Sequence, residues 1–224
     1  MEKLIYLLFD DADRSGTELR QRIIDEAVPA LRKAGAERII LDVQDEDVAG
    51  GQHLRQSDPP IRGMISFWMQ CADNRGECEY ALSGHVKRIA GYLVVESRPM
   101  VHAMNEGRRT EGMNQVTCIS KKPDMSDEDF YAYWHTEHKR VAIETQSSFG
   151  YVRNVIQRAV TPDAPPWTAI VEETFPIEAL TDPKVFYDAS SDAELEKNLG
   201  IMMESCHRFL DFGPMEVTHM SEYY

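Results

Sequence analysis

The chain is short of basic residues. Its 224 residues include 24 Lys and Arg against 38 Asp and Glu, a formal charge of −14. A phosphate backbone needs Lys and Arg facing it, so this balance argues against nucleic acid and against anionic membrane surfaces. Long apolar runs are missing too. Nothing approaches the roughly 18 consecutive apolar residues that read as a membrane span. The N-terminus, MEKLIYLLFDDADR, has a brief apolar run and no small-residue cleavage site, so it reads as a first strand and not as a secretion signal. Cysteine is scarce. Cys71, Cys78, Cys118 and Cys206 show no paired or metal-binding spacing, which points to reduced core thiols in a cytoplasmic protein. There is no G-x-S-x-G, no P-loop and no G-x-G-x-x-G, so serine hydrolase, NTPase and Rossmann dehydrogenase chemistry lack their loops.

What the chain has is the stretch 116–142, VTCISKKPDMSDEDFYAYWHTEHKRVA. An apolar strand runs into a polar turn. Ser126 is placed to cap a helix, and Asp127, Glu128 and Asp129 fill its first turn, where the helix dipole favours negative charge. Phe130, Trp134, His138 and Val141 then fall on one helical face. A titratable imidazole therefore sits on the stripe that turns inward.

A repeat organises the rest. KLIYLLF at 3–9 has a counterpart in NQVTCIS at 114–120, shifted by 111, and a polar turn and a helix follow each. Strands at 37–43 and 62–69 answer strands at 148–154 and 168–175. Helices at about 77–88 and 182–209, the latter broken near Ser190–Ser191, precede closing strands at 92–98 and 215–221. This order predicts an α+β fold of two tandem ferredoxin-like β-α-β-β-α-β units. One such sheet leaves a bare face, so two units packed face to face would form an α/β barrel within one chain. The expected boundaries are 1–100, a linker at 101–112, and 113–224. Insertions at 44–60 and 161–167 are long enough to be rims or lids.

The strand, turn and F-x3-W-x3-H helix of the second half resemble the opening of EthD-like proteins of the dimeric α/β-barrel superfamily. The resemblance implies a pocket between sheet and helices, with a residue there acting as general acid or base. It also implies an acid at Glu172, and an association with degradation pathways. The first half keeps the element order and loses the motif, since Ile23 and Ala27 stand where the second half has Trp134 and His138. The second half is thus the expected functional one.

His138 is the candidate catalytic residue, because imidazole titrates near working pH. A core histidine satisfied by a hydrogen bond is the plain alternative. Tyr131, Trp134, Tyr151, Asn154 and Glu172 are the candidate substrate-binding residues. On the strand at 148–154, Tyr151 and Asn154 point to opposite faces, and either could oppose His138. Met202, Met203 and Met215 are core filler or an adaptable pocket wall. His135 lies three residues before His138, without a third ligand and without the H-E-x-x-H spacing, so no metal is expected. His207 on the last helix is the residue to consider for haem, and it stands alone, so no cofactor is expected. The expected function is that of a cofactor-independent enzyme of catabolic or secondary metabolism. It would act on an apolar cyclic or aromatic small molecule by proton transfer, as a lyase, dehydratase or cyclase. The alternatives are a non-catalytic binding or accessory protein for a degradation pathway, or a cofactor-free monooxygenase. The expected partner is that small molecule, with a homodimer left open.

Overall fold

In strands that alternate between an inner and an outer face, both faces here carry apolar residues, so both must be covered. The computed structural model covers residues 1–51 and 53–224. Residue 52, within the insertion at 44–60, lies outside the described residues. The strands are β1 (Glu2–Phe9), β2 (Glu37–Val43), β3 (Ile61–Met69), β4 (Arg88–Met100), β5 (Met113–Lys121), β6 (Gly150–Ala159), β7 (Ala169–Phe175) and β8 (Leu210–Tyr223). They close into one antiparallel barrel in the order β1-β3-β2-β8-β5-β7-β6-β4. The first-half strands thus run β4-β1-β3-β2 and the second-half strands β8-β5-β7-β6. The two sheets do more than face each other: their edges pair, β4 with β6 and β2 with β8. Closure satisfies backbone groups that a two-layer stack would leave bare at four edges.

The helices lie outside the ring. They are α1 (Gly16–Arg22), α2 (Val28–Lys33), α3 (Gly76–Ser83), α4 (Asp127–Tyr133), α5 (Lys139–Thr145), α6 (Pro183–Phe186) and α7 (Asp192–Phe209). The helix expected to reach residue 88 stops at Ser83, because Gly84 ends it and β4 starts at Arg88. Ser15, Ser126 and Ser191 cap α1, α4 and α7, each accepting from the backbone N–H three residues on. Two π-helical turns interrupt the long helices, at Ile23–Ala27 between α1 and α2 and at Trp134–His138 between α4 and α5. They are 111 residues apart, the same shift that relates β1 to β5. Among the described residues no helix is long and apolar enough to cross a membrane.

The barrel interior is apolar at one end, where Ile5, Leu7, Phe9, Met64, Tyr92 and Ile170 pack together. The other end is polar. There Lys3 pairs with Glu96 at 2.5 Å and with Asn154 Oδ1 at 2.8 Å, and Asn154 donates to Glu172 at 2.7 Å. Asp42 accepts from Asn114 at 2.8 Å. Burial, and then the charges of Glu222 and Glu172, hold the Asp42 carboxyl well above its ordinary range.

Candidate active site

The space between the second-half sheet and its helices holds a cavity of about 210 Å³. Its floor is the outward face of β5, β6, β7 and β8. Its roof is the π turn Trp134–His138 together with α7. A π turn takes five residues where an α turn takes fewer than four, and such turns recur at functional sites. Here the turn starts at Trp134 and ends at His138, and both side chains line the cavity. Trp134 is fully buried and its Nε1–H donates to Tyr151 Oη at 3.0 Å. Phe130 and Phe209 pack with ring centroids 5.5 Å apart, fastening α4 to α7 beside the cavity.

His138 is held by α7. Its Nδ1 shares a hydrogen bond with Ser205 Oγ at 2.9 Å, and Ser205 Oγ meets Tyr133 Oη at 3.0 Å. The ring lies against Phe209, with centroids 4.6 Å apart. Burial alone pushes the imidazole down to about 4, so it is neutral at pH 7. Among the described residues its Nε2 takes no protein partner.

The second titratable group is Glu173 on β7. Its carboxyl lines the same cavity, and burial raises it to about 7. One contact works against that rise: Gln115 Nε2 donates to Glu173 at 3.4 Å. No cation is among the causes of the shift. Around these two groups the walls are Met202, Met203, Phe209, Phe212 and Met215, with Phe186 and Tyr187 closing one side. Thr117 Oγ1 and Gln146 Oε1 also belong to cavity residues, and both atoms are buried without a partner among the described residues.

The structure thus brings together three of the residues expected at the site, His138, Trp134 and Tyr151. It separates two others. Asn154 and Glu172 point into the barrel, bonded to each other and to Lys3, on the far side of the sheet from His138. The strand period of two is the cause: Tyr151 and Glu173 share the outer face, Asn154 and Glu172 the inner one. Glu172 therefore does not orient His138. Tyr131 flanks the site, packed on Phe130 and His135, and does not line the cavity. The His135 ring lies tilted against Trp134, with centroids 5.1 Å apart, and its Nε2 is buried without a partner among the described residues. His207 is exposed and packs on Phe212, outside the cavity, so it does not fit a buried haem ligand.

The matching space in the first half is full. Tyr6 stands where the repeat puts Thr117, and its buried ring stacks on Phe67 with its hydroxyl on Glu79. Ile23 and Ala27, in the places of Trp134 and His138, are buried in the same cluster. A large aromatic on the strand and two aliphatics on the helix fill what Thr117, Trp134 and His138 leave open.

The EthD domain family matches residues 122–213. That match lies within the second half of the chain and covers less than half of the whole. The EthD segment holds Trp134, His138, Tyr151, Glu173 and all of α7; β5 and most of β8 complete the floor from outside it. No curated protein matches the sequence. Among solved structures the chain is similar to an anthrone oxidase-like protein, at 10% identity over 100% of this chain and 91% of that one, with a TM-score of 0.56. It is also similar to a mutant chlorite dismutase from Candidatus Nitrospira defluvii, at 9% identity over 98% and 90%, with a TM-score of 0.50. At such low identity these likenesses show a shared fold and nothing more.

Proposed function

We propose that the protein is a cofactor-independent enzyme that moves a proton on an apolar cyclic or aromatic small molecule. The carrying observation is the pair of titratable groups in one apolar cavity: Glu173, raised to about 7, and His138, neutral above about 4. A carboxyl poised near the working pH gives and takes protons with little driving-force loss. His138 Nε2 is free to hydrogen-bond the substrate as the charge develops. Glu173 is the acid or base and His138 its partner. The Met- and Phe-lined walls suit a flat ring. Glu173 and His138 Nε2 suit a ring that carries a hydroxyl or another polar group.

We read the chain as two ferredoxin-like repeats, 1–100 and 113–224, joined by 101–112. Strand orders β4-β1-β3-β2 and β8-β5-β7-β6 support that reading, as do π turns at one repeat shift. The first repeat is the structural partner, its site filled by Tyr6.

The test is proton exchange in heavy water. Incubated with a panel of hydroxylated ring compounds in D2O, the protein should catalyse deuterium uptake into one of them, read by mass spectrometry. Glu173→Gln should lower that rate by about 100-fold or more, the usual scale for a lost general acid or base. Binding without exchange by wild type would leave a carrier. Oxygen consumption with a bound ring compound would instead point to the cofactor-free monooxygenase.

A further inference from the structure

Beyond the two groups facing the cavity, one chain of polar contacts runs away from it along the sheet. His219 on β8, Gln115 on β5, Glu173 on β7 and Tyr151 on β6 are direct cross-strand partners, one row on the outer face. Gln115 sits between two neighbours of different need. Its Nε2 donates to Glu173 at 3.4 Å, and its Oε1 lies 3.2 Å from His219 Nε2.

A side-chain amide can point either way. What decides the direction is the donor at its oxygen end. His219 Nε2–H supplies one, which leaves Nδ1 as the unprotonated nitrogen. That atom is buried and has no partner among the described residues. Burial pushes His219 down to about 4, so the ring keeps one proton, on Nε2, through neutral pH. The buried ring lies against His53, with centroids 5.6 Å apart, and the His219 backbone N–H donates to His53 Nδ1 at 3.3 Å. Leu180 and Gly51 close over it, and a Cβ at Gly51 would come within 2.5 Å of His219 Nδ1.

We propose that His219 is a positioning residue: it locks the Gln115 amide so that an N–H faces Glu173, and so sets how readily that carboxyl releases its proton. This assignment rests on the reading of Glu173 as the cavity acid or base. The groups facing Glu173 leave the task to Gln115. His138 comes from the π turn and is neutral, Cys206 from α7, Tyr187 from the end of α6 and Tyr151 from β6, and none of them is a cation. An N–H on the carboxylate is then the one contact that favours its charged form. Without His219 the amide is free to turn its oxygen toward Glu173, and that oxygen disfavours the charge.

The experiment is a carboxyl carbon-13 NMR titration of glutamate-labelled protein, with the Glu173 signal assigned by Glu173→Gln. His219→Phe keeps the ring and removes the donor. It should raise the Glu173 midpoint by roughly half a unit to one unit, the scale of one ordinary hydrogen bond, as suits a contact of 3.4 Å. His219→Gln, which returns an N–H near the same place, should restore it. Gln115→Leu should raise the midpoint at least as far, and His219→Phe should add nothing in that background. The proposal is overturned if His219→Phe leaves the midpoint in place, or if its effect persists in Gln115→Leu. The readout needs no substrate, so a protein that proves to be a carrier still tests it.

Discussion

At the scale of single residues, the site depends on groups held in the charge state that burial prefers. For His138 the expected outcome of substitution is kinetic. His138→Ala should cut turnover by about 100-fold, with the thermal midpoint close to wild type, since Phe130, Trp134 and Phe209 still pack. A protein that unfolds instead would show His138 to be a core residue. For Glu173 the outcome is thermodynamic. Its folded value of about 7 lies above the ordinary carboxyl range, so the folded state holds the proton more tightly than the unfolded state. The unfolded state therefore binds fewer protons between about 4.5 and 7, and stability falls as pH rises through that window. Glu173→Gln should remove this loss. It should stabilise the protein at pH 8 by at most on the order of 3 kcal/mol and change little at pH 4, as measured by urea unfolding at the two pH values. The sequence carried part of this. The F-x3-W-x3-H spacing leads to His138 and Trp134. Glu173 was missed by one position, because Glu172 and Glu173 are adjacent and a strand turns neighbours to opposite faces. Nothing in VEETF says which face is wet. The pairing of Tyr151 with Glu173 across β6 and β7 does, and that register is a tertiary fact.

At the scale of elements, boundaries were legible and local winding was not. Ser126 and its acidic run mark the start of α4, and apolar runs mark the strands. The π turns leave no mark, because their side chains still read as an apolar face under a period of 3.6. Yet the turn at Trp134–His138 decides the site, since the added residue puts Trp134 on Tyr151 while His138 reaches Ser205. Thr136 and Glu137 are the exposed residues within it. Inserting one Ala after Thr136 would add a further residue and turn everything beyond it by about 100°. Either α5 loses its contacts with Met202 on α7, or Trp134 leaves Tyr151. The expected result is a near-native far-ultraviolet circular dichroism spectrum, a collapsed near-ultraviolet tryptophan signal and no activity. An insertion variant with an intact tryptophan signal and full activity would show that the winding of this segment does not set the site.

At the scale of the whole molecule, the two seams of the barrel are unequal. β4 pairs with β6 along most of both strands, while β2 meets β8 through Leu41–Tyr223, Asp42–Glu222 and Val43–Ser221. Side chains reinforce the short seam. Asp45, buried, accepts from Arg20 at 2.8 Å, from Ser221 at 2.7 Å and from Tyr223 at 2.6 Å. Asp45→Ala leaves three donors stranded and should cost about 2–4 kcal/mol. Amide exchange should then quicken along β2 and the end of β8 first, and an even effect around the ring would refute the seam's role. Element order alone told of two sheets to be covered, but not that their edges join, because pairing between distant strands has no local signature. The closed ring also bears on synthesis. The first half leaves the ribosome with the outer edges of β2 and β4 still unpaired, and they stay so for roughly ten seconds while the next hundred or so residues are made. Bare edges of that kind invite pairing with other nascent chains. Glu37 and Arg38 on β2, and Arg88, Glu96 and Arg98 on β4, place charge along both. The same side chains that finish as rim and interior groups of the barrel thus serve earlier as guards on a half-made protein.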